Sequence, residues 1–146
     1  PLEFAHGTTT LSFVFKEGIL VAVDSRSSMG PFVASRTVMK AVPISEKILA
    51  TIAGGAADCQ YWLRRLRQEV ELHRLNHRNH EMTVGAAARK LGMWLQNMAG
   101  AQLSVGTMLV GFEHTGGRDA GETPVVLSTA GSYHHSSTST STSTSS

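Results

Sequence analysis

His6-Gly7-Thr8-Thr9-Thr10-Leu11-Ser12-Phe13-Val14-Phe15 sets a glycine directly before three threonines and then runs on as a strand. From Thr9 to Phe15, Leu11, Phe13 and Phe15 alternate with Thr10, Ser12 and Val14, the period of two that a β-strand imposes. Glu17-Gly18 follows as a tight turn, because glycine accepts the positive φ that such turns need. Ile19-Leu20-Val21-Ala22-Val23 is apolar throughout, which predicts a strand buried on both faces and ending at Asp24. The chain therefore opens on a hairpin, with a threonine run at one strand's start and a carboxylate at the other's end.

Outward from that hairpin, Ser25 to Pro31 reads as a loop and Phe32 to Val42 as an extended stretch carrying Lys40. Pro43-Ile44-Ser45-Glu46-Lys47 turns the chain into a strand over residues 48–53 that stops at Gly54-Gly55. Cys59, Trp62, Leu63, Leu66 and Val70 then recur at helical spacing, and the polar run Asn76 to His80 closes that helix. Thr83 is the expected N-cap of a second helix. Its buried stripe is Val84, Ala87, Ala88, Leu91, Leu95 and Met98, and Ala99-Gly100 ends it. Gly85 and Gly92 weaken that helix by about 1 kcal/mol each relative to alanine, and they let it approach a neighbour closely. Leu103 to Phe112 and the short Val125-Val126-Leu127 are strands, with a glycine-rich loop from His114 to Pro124 between them. Four strands, two helices and two strands predict an α+β layered fold, with helices packed on a sheet face.

The spacing of polar groups suits one chemistry. A threonine hydroxyl is a weak nucleophile, but a threonine at a free N-terminus carries its own base in the α-amine. That amine has a reference pKa of roughly 8 and is partly neutral near pH 7. A lysine ammonium nearby lowers it further, and Lys40 is the candidate. A buried lysine needs a carboxylate partner to keep its charge, and Asp24 is the candidate for that. Backbone N–H groups at Gly54-Gly55 suit an oxyanion. Taken singly, Thr8-Thr9-Thr10 is merely β-prone, Asp24 suits a turn cap, Lys40 an exposed edge strand, and Gly54-Gly55 a plain turn. Their order and spacing favour the joint reading, in which cutting Gly7–Thr8 frees Thr8 as nucleophile.

Composition bounds the alternatives. A chain of 146 residues suits one domain. A formal charge of +2 does not by itself call for nucleic acid. The cluster Arg64, Arg65, Arg67, Arg74 and Arg78 reads as a solvated helix face. Cys59 is the only cysteine, so there is no internal disulfide and no cysteine metal cluster. On the helix's apolar stripe it is a small core residue. No apolar run approaches the roughly 20 residues of a membrane span, and residues 1–7 do not read as a signal peptide. His73, His77 and His80 fall at i, i+4 and i+7, a spacing open to a metal ligand set or a solvated helix end. With no carboxylate cluster beside them, no metal or other cofactor is assigned.

The motifs also carry a resemblance. Ala5-His6-Gly7-Thr8-Thr9-Thr10-Leu11, Val21-Ala22-Val23-Asp24-Ser25-Arg26-Ser27, Thr37-Val38-Met39-Lys40, Ala53-Gly54-Gly55-Ala56-Ala57-Asp58-Cys59, Ala86-Ala87-Ala88-Arg89-Lys90-Leu91 and Leu103-Ser104-Val105-Gly106-Thr107-Met108 resemble β subunits of the 20S proteasome, of the chymotrypsin-like type. The likeness runs from about residue 4 to about residue 113. It implies an N-terminal-nucleophile hydrolase sandwich of αββα layers, incomplete at the C-terminal end. It implies Thr8 as nucleophile after autolysis at Gly7, Lys40 tuning it, Asp24 orienting Lys40, Gly54 giving the oxyanion N–H, and Arg26 structuring the site. A specificity pocket of Ala34, Val38, Ile52 and Ala56 implies cleavage after large apolar residues. The implied partners are other proteasome α and β subunits and unfolded polypeptide substrates, with no nucleic acid or membrane, in cytoplasm and nucleus.

The expected organisation is a leader over residues 1–7, a partial hydrolase domain over 8–133, and a disordered Ser/Thr tail over 134–146. The resemblance implies further elements past residue 146 and a later serine and aspartate near the nucleophile, with Ser132 a candidate for the serine. With half the sandwich absent, the helices' apolar stripes are expected to be incompletely covered. The alternatives are a truncated, non-catalytic structural or interaction chain, and a different N-terminal-nucleophile hydrolase acting on a small amide.

Overall fold

In a computed structural model, residues 9–29, 32–98, 105–114 and 121–129 are described. Strand β1 (Thr10–Phe15) pairs antiparallel with β2 (Gly18–Val23), with Thr10 opposite Val23 and Phe15 opposite Gly18. A second hairpin joins β3 (Ser27–Met29) to β4 (Phe32–Ser35), with a register shift between Ser27 and Ser28. The third sheet is antiparallel, in the order β5 (Ala41–Pro43), β6 (Ile48–Gly54), β7 (Val105–His114), β8 (Glu122–Thr129). Between β6 and β7 come α1 (Ala56–Asn76) and α2 (Val84–Asn97).

Both helices lie on one face of the four-stranded sheet. Ile48, Ala50 and Ile52 of β6 and Val105 and Leu109 of β7 meet Cys59, Trp62, Leu63, Leu66 and Val70 of α1 and Val84, Ala87, Leu91 and Leu95 of α2. Burying each large apolar side chain contributes about 1.5–3 kcal/mol, so this layer dominates the favourable side of folding. Trp62 stacks on Trp94 across the helix pair with ring centroids 6.2 Å apart, and the Arg65 guanidinium lies over Trp94 at 4.8 Å. Met108 alternates with the core residue Leu109 and so faces away from the helices. There Ser12 of β1 reaches the Met108 sulfur at 3.6 Å, placing the first hairpin on the opposite sheet face. The described layers are helices, sheet and hairpin, consistent with the sandwich class that the sequence predicts.

Several elements differ from expectation. β2 is not buried on both faces, and Leu20 is 43% exposed. Among the described residues β2 pairs only with β1, and a two-stranded ribbon shields little. The predicted loop over Ser25 to Pro31 contains β3. The predicted extended stretch over Phe32 to Val42 is two short strands separated by residues 36–40, which take no regular structure. β8 extends well beyond Val125–Leu127, because Pro124 is compatible with an edge strand, where its missing N–H breaks no ladder bond. The helix stripes are covered by the sheet rather than left open, except Met98, which is the α2 C-cap and is exposed. Exposed apolar side chains cluster on the first hairpin, and Tyr61, Leu72, Leu75 and Met93 are exposed on the outer faces of the helices.

One glycine sits where no side chain would fit. A Cβ on Gly111 would collide with the Lys47 carbonyl and sit 2.8 Å from a Val84 methyl, so β7, the β5–β6 turn and the α2 start close together only over glycine. At Gly85 a Cβ would meet the Glu113 carboxylate at 3.4 Å, whereas Gly92 faces open space and permits no special approach. The Thr83 hydroxyl accepts from the Ala86 N–H at 3.1 Å, the predicted cap. Glu113 accepts from the Gly85 N–H at the same helix start, where a carboxylate also complements the dipole.

Candidate active site

The sequence predicts that a buried Lys40 must find a carboxylate, and it has one. The Lys40 Nζ donates to both Asp24 carboxylate oxygens, at 3.0 and 2.9 Å. The lysine is buried and the aspartate side chain about one-third exposed. An ammonium gripping both oxygens is a charge-assisted pair, stronger than a neutral hydrogen bond. That bond is the main reason the Asp24 carboxyl lies below its ordinary value, with partial burial acting against it. The positive charge of Lys40 and backbone N–H bonds from Thr9 and Arg26 add to the lowering.

Each partner is held by its backbone. Asp24 directly follows β2, and its N–H donates to the Thr9 carbonyl at 3.3 Å, so the residue before β1 and Asp24 face one another. Lys40 follows the irregular residues 36–39, and its carbonyl accepts from the Ile52 N–H of β6 at 2.7 Å. The pair therefore joins the first hairpin to the helix-covered sheet. Two residues beyond Ile52, Gly54 closes β6 with φ of 99°, in the region that glycine enters without strain. Gly55 caps α1 with no side-chain hydrogen bond. A helix start leaves N–H groups without intrahelical acceptors, and these favour negative charge.

The other predicted residues distribute as follows. Arg26 is exposed and follows Asp24 directly. Val38 is half-buried in the segment before Lys40. Ile52 is only 3% exposed and belongs to the helix-facing core. Ala34 lies in β4 and Ala56 opens α1, but their side chains are outside the described part. Gly7, Thr8 and Ser132 lie outside the described residues, as do the expected leader and tail.

Sequence reading missed Ser25, which it leaves as loop. Its hydroxyl donates to the Arg36 carbonyl and its own carbonyl accepts from the Val38 N–H, both at 2.9 Å. No local pattern announces a bond between positions eleven residues apart. Cys59 is fully buried and donates to the Ala53 carbonyl at 3.4 Å, and burial pushes its thiol up, as for an inert core cysteine. The His73 and His77 rings stack with centroids 4.0 Å apart at the end of α1. Among the described residues, no group of three or more His, Cys, Asp or Glu is placed to hold a metal.

Comparisons with known proteins fit this arrangement. The family model for proteasome subunits matches residues 4–134. The chain is 50% identical over 116 residues to proteasome subunit beta type-5 of Dictyostelium discoideum, covering 79% of this chain and 42% of that protein. It is 47% identical over 112 residues to proteasome subunit beta type-5-B of Arabidopsis thaliana, covering 77% and 41%. Against proteasome subunit beta type-5 of Gallus gallus it is 44% identical over 116 residues, covering 79% and 44%. The match thus spans less than half the length of these relatives.

Proposed function

Since the chain belongs to the proteasome subunit family, we propose that it is a threonine endopeptidase subunit of a 20S core that cleaves after large apolar residues. Thr8 is the nucleophile, freed when the Gly7–Thr8 bond is cut. The observation that carries this reading is the two-oxygen grip of Asp24 on Lys40, beside the bond from the Asp24 N–H to the Thr9 carbonyl. Thr8 is covalently joined to Thr9, which puts its Cα within about 3.8 Å of the Thr9 Cα. The residue that follows the proposed nucleophile is thus bonded to the carboxylate partner of Lys40.

The division of labour follows from the charges. Asp24 neutralises Lys40 and fixes where its ammonium points. That ammonium lowers the pKa of the Thr8 α-amine, so more of it is neutral and able to take the hydroxyl proton. The hydroxyl oxygen attacks the scissile carbonyl, the C–N bond breaks as the amine returns the proton to the leaving amine, and water then cleaves the resulting threonine ester to release the acid and restore the hydroxyl. Gly54 and the α1 start supply N–H groups for the oxyanion. Arg26 supports the Asp24 carboxylate through its backbone N–H. Val38 and Ile52, with Ala34 and Ala56, make an uncharged pocket that accepts a large apolar side chain and rejects a charged one. Assembly with other α and β subunits, action on unfolded polypeptides, and residence in cytoplasm and nucleus belong to the same proposal.

Thr8→Ala tests it. Hydrolysis of a reporter peptide with a large apolar residue before the scissile bond should fall to background, and residues 1–7 should stay attached. Cleavage at the unsubstituted rate would overturn the assignment of Thr8.

A further inference from the structure

We infer that Ser25 is a positioning residue that fixes Val38 relative to the Lys40–Asp24 pair and thereby sets the preference for large apolar residues. The inference rests on the peptidase reading of this site.

Residues 36–40 take no regular structure, yet they carry both the pocket residue Val38 and Lys40. Every buried or half-buried backbone group in such a segment needs a partner. The Arg36 carbonyl accepts from the Ser25 hydroxyl at 2.9 Å, the Thr37 N–H donates to the Ser35 hydroxyl at 3.3 Å, the Val38 N–H donates to the Ser25 carbonyl at 2.9 Å, and the Lys40 carbonyl accepts from the Ile52 N–H at 2.7 Å. The bonds at Arg36 and Val38 both belong to Ser25. The residue before it, Asp24, holds the Lys40 ammonium with its side chain and the Thr9 carbonyl with its N–H. Residues 24 and 25 thus form one two-residue bracket. Asp24 grips the charged group and Ser25 grips the segment leading to it.

A side chain at position 25 without a hydroxyl frees the Arg36 carbonyl and leaves the Val38 N–H bond as the remaining tie from Ser25 to the segment. Without its companion that bond opens more often. Lys40 stays anchored by Asp24 and by β6. The looseness therefore falls on Val38 more than on the ion pair.

The test compares the full chain, in the assembly in which it is isolated, with Ser25→Ala and Ser25→Thr. Two reporter peptides are used, alike except for Phe or Ala before the scissile bond, together with backbone amide exchange over residues 36–40. In Ser25→Ala the Phe-over-Ala selectivity should drop by roughly 3–10-fold, the scale of one lost hydrogen bond, chiefly through a higher KM for the Phe peptide. Exchange at Val38 should quicken, and Ser25→Thr should return selectivity to within about 2-fold of the parent, since threonine keeps the hydroxyl. Unchanged selectivity, equal loss on both peptides, or Ser25→Thr behaving like Ser25→Ala would overturn the inference. If the unsubstituted chain cleaves neither peptide, the peptidase reading falls. The exchange comparison then decides the clamp alone: faster exchange in Ser25→Ala upholds it, and unchanged exchange removes it.

Discussion

The sheet beneath α1 and α2 encloses Leu66, Leu91 and Leu109 completely, whereas the β1–β2 hairpin leaves Leu11, Phe13, Val14, Phe15 and Leu20 each 43–54% exposed. One region is held by apolar burial and the other by its own ladder, the Ser12–Met108 contact and the Lys40–Asp24 pair. The candidate catalytic groups lie at the joint between them. Asp24 directly follows a hairpin strand, and Lys40 is bonded through its carbonyl to β6 of the covered sheet. The molecule thus separates what keeps it folded from what aligns its chemistry, and a substitution can damage one while sparing the other.

The sharpest break is at the joint. Lys40→Ala should lower peptide hydrolysis by about 10²–10⁴-fold, the range of lost acid–base assistance, while circular dichroism shows the helix-covered sheet intact and the denaturation midpoint falls only by the share of the ion pair. Reporter hydrolysis at the unsubstituted rate by a Lys40→Ala chain that begins at Thr8 would rule out this role for Lys40. Next comes the covered sheet. Leu66→Ala should cost about 2–5 kcal/mol in denaturant unfolding, because a fully enclosed leucine leaves a cavity. A loss below about 1 kcal/mol would mean the helix layer is not the stability core.

Acid probes the joint without mutation. Asp24 titrates below its ordinary value of 3.8 in the folded chain, chiefly because Lys40 bonds its carboxylate. The stabilisation from the pair is therefore complete above that ordinary value and is lost as pH falls through the lower folded value. Asp24→Asn should flatten the acid limb of the stability curve in that window, and an unchanged limb would show that the pair contributes nothing there. The smallest effect belongs to the open hairpin. Leu20→Ser should change unfolding stability by no more than about 0.5 kcal/mol, and a larger loss would mean Leu20 is covered in solution.

The same division governs what could be read from sequence. The two helices, the Thr83 cap and the β6 strand announced themselves through periodicity and end residues, which are local signals. The need of Lys40 for Asp24 was legible too, since burying an ammonium leaves few options. The β3–β4 hairpin was hidden by its shortness and by Gly30-Pro31, which read as loop. The exposure of β2 could not be seen, because an apolar run says that burial is wanted and not that a partner sheet is present. The Ser25 ties were invisible because they depend on how the chain folds back upon itself and not on spacing.

The central claim is that the Lys40–Asp24 joint serves a threonine freed by cutting after Gly7. The most direct measurement is the N-terminal sequence and intact mass of the chain isolated from its native source. The account predicts a chain beginning at Thr8. A chain that retains the Gly7–Thr8 bond would contradict it.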